Sequence, residues 1–450
     1  MTPSRRTFIK QSAASLAGAA LANAVPAKGA SAESRPKRVA PSDQVNIAVI
    51  GAKGMGWSDA RSHLKIAGVS CIALADVDSS VLATRGADLV GLGHKAPRTY
   101  PDYRKMLERK DVDAVVVATP DHWHCLAMVD ALSAGKHVYV EKPIARTIQE
   151  CRVMQAAGNR YGKIVQVGQW QRSGPHYEQA IAYVRSGKLG PIRLVKVWAY
   201  QGWMTPVPVR PDGPAPEGVD YDMWLGPAPK RPFNPNRFHF NFRWFWDYAG
   251  GLMTDWGVHE IDIALYAMGA SAPKSVIASG GKFAYPDDAS ETPDTLQAVF
   301  EYDGFSMLWE HATGIDGGPY GKSEGIAFIG NNGTLVVNRG GWEVIPETYA
   351  DGALRRYKLD ALPFQARREE ILDLHTLNFV AAIRTNDPSI LKCGIDTGSV
   401  AAVNASMGNI ALKTGRKLFW DAAAGQFRND GQANELMRAN YRSGYELPPV

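Results

Sequence analysis

Short β-branched runs at Val45–Ile50, Val69–Ala75, 112–119 and His137–Val140 alternate with stretches whose apolar residues recur at helical spacing. Cys125, Met128, Val129 and Leu132 share one helical face, and that pattern stops at Gly135. Thr147-Ile148-Gln149-Glu150 has the spacing at which a Thr hydroxyl and a Glu carboxylate cap each other's backbone N–H groups, so another helix should open there. Strands alternating with helices predict a parallel, doubly wound sheet over residues 44–168. The texture changes after about residue 170, where longer strand-like runs lie at 192–200, 295–302, 305–311, 325–329 and 334–337. Asp303-Gly304 and Asn331-Asn332-Gly333 separate pairs of these runs as hairpin turns do. Residues 169–450 are therefore expected to form an α+β domain with a large, mostly antiparallel open sheet, and helix returns from Arg367 to about Lys413.

Composition narrows the class without naming it. A chain of 450 residues can hold two full cores, and 45% apolar with 21% charged residues suits a soluble globular protein. Of the formal +5 charge, Arg5, Arg6, Lys10 and Lys28 lie in an acid-free stretch, 1–32. The remainder is nearly neutral, which leaves no electrostatic case for nucleic acid.

That first stretch reads as an address. Ser4-Arg5-Arg6-Thr7-Phe8-Ile9-Lys10 precedes an Ala-rich run, then the small-residue sites Ala22-Asn23-Ala24 and Ala30-Ser31-Ala32. The pattern resembles a twin-arginine export signal over 1–32, followed by a polar linker over 33–43. A periplasmic or secreted protein is expected. The apolar run is too short and too poor in large side chains to be a stable membrane anchor. Cys71, Cys125, Cys151 and Cys393 are too scattered for a disulfide framework, as suits a protein exported already folded. No metal site is expected.

Val45–Ile50 runs into Gly51-Ala52-Lys53-Gly54-Met55-Gly56. This is the strand–turn–helix setting of the G-x-G-x-x-G dinucleotide fingerprint of Rossmann domains. Gly51 makes the tight turn and Gly56 lets helix and strand pack closely. Lys53 replaces the glycine that lets backbone approach the pyrophosphate, and Gly54 is expected to take over that approach. Asp76 ends the second strand about 20 residues further on, where an acid bonds the adenosine ribose 2′-OH. Its charge would repel a 2′-phosphate, so NAD is expected rather than NADP.

Thr119-Pro120-Asp121-His122-Trp123-His124 and Glu141-Lys142-Pro143 follow the third and fourth strands, at the carboxyl edge where such sheets bind ligands. Gly250-Gly251-Leu252-Met253-Thr254-Asp255-Trp256-Gly257-Val258-His259-Glu260-Ile261-Asp262 should open a helix, with Asp255 and His259 on one face. These segments, with the tail Asn409-Ile410-Ala411, Gly415-Arg416-Lys417-Leu418 and Trp420-Asp421, resemble the Gfo/Idh/MocA oxidoreductase family. The resemblance implies a dinucleotide domain, a C-terminal domain that binds substrate and forms oligomers, and a sugar-like substrate between them. It maps the catalytic Lys, Asp and His onto Lys142, Asp255 and His259. Cofactor contacts are expected from Gly51, Lys53, Gly54, Met55, Gly56, Asp76, Thr119, Pro120, Asp121, His124, Glu141 and Lys142. Two departures stand out: Lys53 breaks the phosphate fingerprint, and Asp121 stands where the family often has Asn. A homo-oligomer is expected.

The chemistry gives the three residues independent sense. A neutral His259 can take a hydroxyl proton, Lys142 can stabilise charge on the same oxygen, and Asp255 can orient one of them. His124 has two readings, a wall of the nicotinamide site or a satisfied histidine at a helix start. Arg172 is a candidate for substrate hydroxyls. In the aromatic run Phe238-His239-Phe240-Asn241-Phe242-Arg243-Trp244-Phe245-Trp246, a ring such as Trp246 could stack on a sugar. The leading expectation is an exported NAD-dependent oxidoreductase with tightly held cofactor, acting on a secondary hydroxyl of a sugar, glycoside or polyol. The alternatives are an NAD-dependent glycosidase, cleaving by transient oxidation and elimination, and a non-catalytic sugar-binding protein.

Overall fold

The computed structural model describes Ala40 and residues 43–449. The expected signal, and the linker apart from Ala40 and Asp43, lie outside the described residues.

Six parallel strands form the first sheet: β1 (Val45–Ile50), β2 (Val69–Ala75), β3 (Arg98–Tyr100), β4 (Ala114–Val117), β5 (His137–Val140) and β6 (Val165–Val167). Their order is β3-β2-β1-β4-β5-β6. The chain reverses direction across the sheet between β1 and β4, so the loops after these two strands open into one crevice. Helices cover both faces, which is why β4 is apolar and buried throughout. It is shorter than the run at 112–119 suggests, because Pro120 caps the helix α1 (Asp121–Ser133) and turns the chain out of the sheet. The expected capping box opens α2 (Ile148–Tyr161): Thr147 N donates to Glu150 Oε2 at 2.8 Å, and Glu150 N to Thr147 Oγ1 at 3.3 Å.

The second sheet has ten strands, among them β7 (Ile192–Gln201), β8 (Ser275–Gly281), β9 (Thr295–Glu301), β10 (Ser306–Thr313), β11 (Glu324–Gly330), β12 (Gly333–Asn338) and β13 (Gly341–Pro346). It is antiparallel except where β10 lies parallel to β7. Both expected hairpin turns join antiparallel neighbours, and Gly304 takes a φ of +83° to make the first. The helical stretch from Arg367 is two helices, α5 (Ile371–Thr385) and α6 (Ile395–Thr414), because Asn386 adopts φ +49° and Pro388 follows. Helix α6 ties the two sheets together: Ile395 and Ala402 enter the core under the first, Ala401 and Ala405 the core under the second.

All four cysteines are buried and free. Among the described residues, no helix is long and apolar enough to cross a membrane.

Candidate active site

The crevice begins at the turn after β1. Gly51 sits at φ +84°, and a Cβ there would lie 2.6 Å from the Ala118 carbonyl oxygen. A Cβ on Gly56 would lie 2.0 Å from the Gly51 oxygen, so both glycines are required by close backbone approach. Lys53 is the extended N-cap of the following helix, Gly54–Leu64, with no side-chain cap and no acid in the first turn. Gly54 adopts φ +51° with open space where a side chain would stand. A helix start with unclaimed N–H groups and an open glycine beside it suits a pyrophosphate. Asp76 faces this turn, accepting from Ala52 N at 2.9 Å and Asp78 N at 3.1 Å. Burial pushes its pKa up to about 6, against the hydrogen bonds that lower it, so it is mostly ionised at neutral pH. The residues therefore fit a dinucleotide.

A strap from the segment after β7 lies just beyond Asp76. Ser79 N donates to Gly218 O and Asp220 N to Val77 O, each at 2.9 Å, pairing Asp78 with Val219 in an antiparallel bridge. His239, from the aromatic run, adds a 2.9 Å contact to Asp78 Oδ2.

The candidate catalytic residues meet at the other end of the crevice. Lys142 Nζ donates to Asp255 Oδ1 at 2.9 Å and to the Asp255 carbonyl at 3.0 Å. Arg243 Nε reaches the same Oδ1 at 3.3 Å. Burial alone would raise the Asp255 pKa, but Lys142 and Arg243 hold it down at about 2. Asp255 and His259 are not on one helix, as the spacing suggests. The chain makes α3 (Leu252–Asp255), kinks at Trp256, and restarts as α4 (Gly257–Met268). Asp255 therefore turns to Lys142 and makes no hydrogen bond to His259. His259 is buried, its Nδ1 sealed without a partner among the described residues. Burial, reinforced by Lys142 and Arg339, pushes its pKa well below the ordinary histidine value, so it is neutral at working pH.

Around this pair the carboxyls are held up by burial, Glu141 to about 7 and Asp121 to about 8. A protonated Asp121 offers one donor and one acceptor, the pattern of the Asn common in the resembled family. Glu141 Oε1 is buried with no partner among the described residues, while Oε2 accepts from Lys142 N at 3.2 Å.

Other candidates are placed differently from expectation. Arg172 is not free for substrate. Its fork closes on Asp262 at 2.7 and 2.8 Å and stacks over Tyr266, deep in the protein. The His124 ring is wedged between two carbonyls, Pro143 O at 2.8 Å and Thr119 O at 2.7 Å; being neutral, it donates its one N–H to one of them, and it braces the loops. Trp246 is half-buried, with Lys413 Nζ 3.8 Å from its ring centroid. Thr119 Oγ1 is buried without a partner among the described residues, and Pro120 is the helix cap. Sequence reasoning missed Arg243 and Arg339, since a lone arginine in an aromatic run or a hairpin turn carries no spacing signal.

Comparison with known proteins bears on the fold and the family. Residues 45–169 match the model GFO_IDH_MocA, an oxidoreductase family with an NAD-binding Rossmann fold, and residues 196–292 match that family's C-terminal alpha/beta domain. The uncharacterized oxidoreductase YrbE of Bacillus subtilis (strain 168) is 24% identical over 364 residues, 80% of this chain and 92% of its own length. Glycosyl hydrolase family 109 protein 1 of Shewanella sp. (strain MR-4) is 29% identical over 199 residues, which is 41% of this chain and 43% of that protein. The fold is similar to that of the aldose-aldose oxidoreductase from Caulobacter crescentus, crystallised with glycerol. That match has a TM-score of 0.61 at 20% identity and covers 84% of this chain and 100% of the other.

Proposed function

We propose that this chain, an NAD-binding oxidoreductase of the Gfo/Idh/MocA family, oxidises a secondary hydroxyl of a sugar, glycoside or polyol while keeping its cofactor bound. The observation that carries the reading is Lys142, clamped on Asp255, within electrostatic reach of a neutral His259. Oxidising an alcohol removes a hydride from carbon and a proton from oxygen. NAD, when bound, accepts the hydride, and because it stays bound it is restored by reduction of a second sugar or ketone. The chain's own groups handle the oxygen. Lys142 has two of its three N–H donors committed to Asp255, which leaves one for the substrate oxygen. That donor stabilises negative charge as the O–H bond breaks. The depressed pKa keeps the His259 ring neutral beforehand, and in its Nδ1–H tautomer Nε2 is the free base that takes the proton.

The glycosyl hydrolase match favours a second reading, in which the transient ketone acidifies a neighbouring C–H and a glycosidic bond is eliminated. Product analysis separates the readings. Purified protein carrying NAD is mixed with sugars and glycosides, and its near-ultraviolet absorbance is followed. A keto-sugar supports oxidation, and a released aglycone supports cleavage. Binding with neither product would sink both and leave a sugar-binding protein.

Retention of the cofactor rests on the strap over the turn after Asp76. Gly218 has φ +79°, and a Cβ there would meet Ser79 Oγ at 2.2 Å. A side chain at such a φ costs about 1–2 kcal/mol, so Gly218→Val is expected to speed NAD loss roughly tenfold. Unchanged NAD content after gel filtration would remove the strap from the account. Retention also suits export of a loaded protein, proposed on the paired arginines. Replacing Arg5 and Arg6 by Lys should hold the full-length chain in the cytoplasm, and unaltered export would refute that.

A further inference from the structure

Arg339 lies in the turn between β12 and β13, 80 residues from His259 in sequence yet beside it in space. Its guanidinium carbon is 4.5 Å from the ring centroid of Trp170 and 4.2 Å from that of Trp256. The His259 ring packs against the same two indoles, with centroids 5.5 and 6.3 Å away. Arg339 Nε donates to Gln171 Oε1 at 3.2 Å, which fixes the plane of the fork. Its two terminal nitrogens make no hydrogen bond among the described residues.

The guanidinium makes no direct ion pair among the described residues, although its charge acts on two buried carboxylates, Glu260 and Glu324. Glu260 and Glu324 are near, but only the Arg339 backbone N bonds one of them, Glu324 Oε1 at 3.2 Å. Burial pushes the Glu260 pKa well above the carboxylate range. Lys142, Arg243 and Arg339 bring three cations to the cleft; Lys142 and Arg243 both close on Asp255, whereas Arg339 forms no ion pair among the described residues. A neutral sugar entering there would strip water from the fork and return no charge to it. A carboxylate would answer both terminal nitrogens at once, in the planar two-point geometry to which arginine is suited.

We propose that Arg339 is a substrate-recognition residue and that the substrate is a carboxylate-bearing sugar of the uronic or aldonic acid type. Its carboxylate is held by the Arg339 fork while its reacting hydroxyl lies between Lys142 and His259. This rests on the reading of the cleft as a sugar oxidoreductase site.

The test uses matched probes, glucuronate against glucose, galacturonate against galactose and gluconate against glucitol. Two signals are read on protein carrying NAD: binding, by tryptophan fluorescence, and turnover, by NADH absorbance. The acids should bind about tenfold or more tightly than their neutral partners, as expected for a charge-assisted pair of hydrogen bonds. Arg339→Gln should abolish that preference by raising KM for the acids far more than for the neutral sugars, while any change in kcat, felt through the His259 pKa, should be the same for acid and neutral probes. Arg339→Lys should restore part of it, and thermal unfolding of each variant controls for folding. Acids that bind no better than neutral sugars, no saturable binding at all, or an Arg339→Gln that weakens acid and neutral probes equally would overturn the proposal. Acids that bind through Arg339 but never reduce NAD would instead overturn the oxidoreductase reading and leave the recognition site standing.

Discussion

His259→Ala will slow hydride transfer roughly 10²–10⁴-fold, or about 3–5 kcal/mol of barrier, the usual worth of one positioned acid–base group. The buried imidazole is the neutral group beside Lys142 that can take the hydroxyl proton. Lys142→Ala should lose a comparable amount, because it removes the donor that Asp255 aims at the same oxygen. The double variant should lose far less than the product of the two, since both groups act on one atom. Bound NAD, measured by mass after denaturation, should survive each single change. Near-normal turnover by His259→Ala on an identified substrate would mean that the proton leaves another way.

Arg172→Ala is expected to destabilise the fold by about 3–5 kcal/mol, the cost of leaving a buried charge without its partner. The Arg172 side chain is 11% exposed and that of Asp262 2%, and the pair is bidentate. Arg172 also stacks on Tyr266 at 4.3 Å, so removing it opens a gap as well as stranding Asp262. Replacing both residues by leucine should cost clearly less than Arg172→Ala alone, because an apolar pair leaves no orphaned carboxylate. Urea unfolding of the single and double variants measures this directly. A stable Arg172→Ala protein with a raised KM would return Arg172 to the substrate site, where its sequence context had suggested it.

Arg172 shows where reading the chain alone runs out. Local features were legible because their causes are local. The period of apolar residues marked β1, β2 and β5 to the residue, and Thr147 and Glu150 announced their capping box three positions apart. The glycines at 51 and 56 were legible because the turn after β1 leaves no room for a Cβ. Even the break in the last helical stretch was written in Asn386 and Pro388, although the apolar pattern ran straight through it. Pairings across the fold had no such signature. Lys142 meets Asp255 across 113 positions and Arg172 meets Asp262 across 90, and only the packing of helices on two sheets brings them together. Residue type did not say which arginine would be closed on a carboxylate and which left open. That depended on which charged groups the fold buried beside it, and so did the protonation of Asp121, Glu141 and His259. The chain alone determined the elements, the phosphate turn and the residue types at the site, because backbone period, φ and capping act over a few positions. Tertiary structure decided which side chains face the crevice and which charges remain unanswered there, because burial and long-range contact exist only once the two sheets have packed.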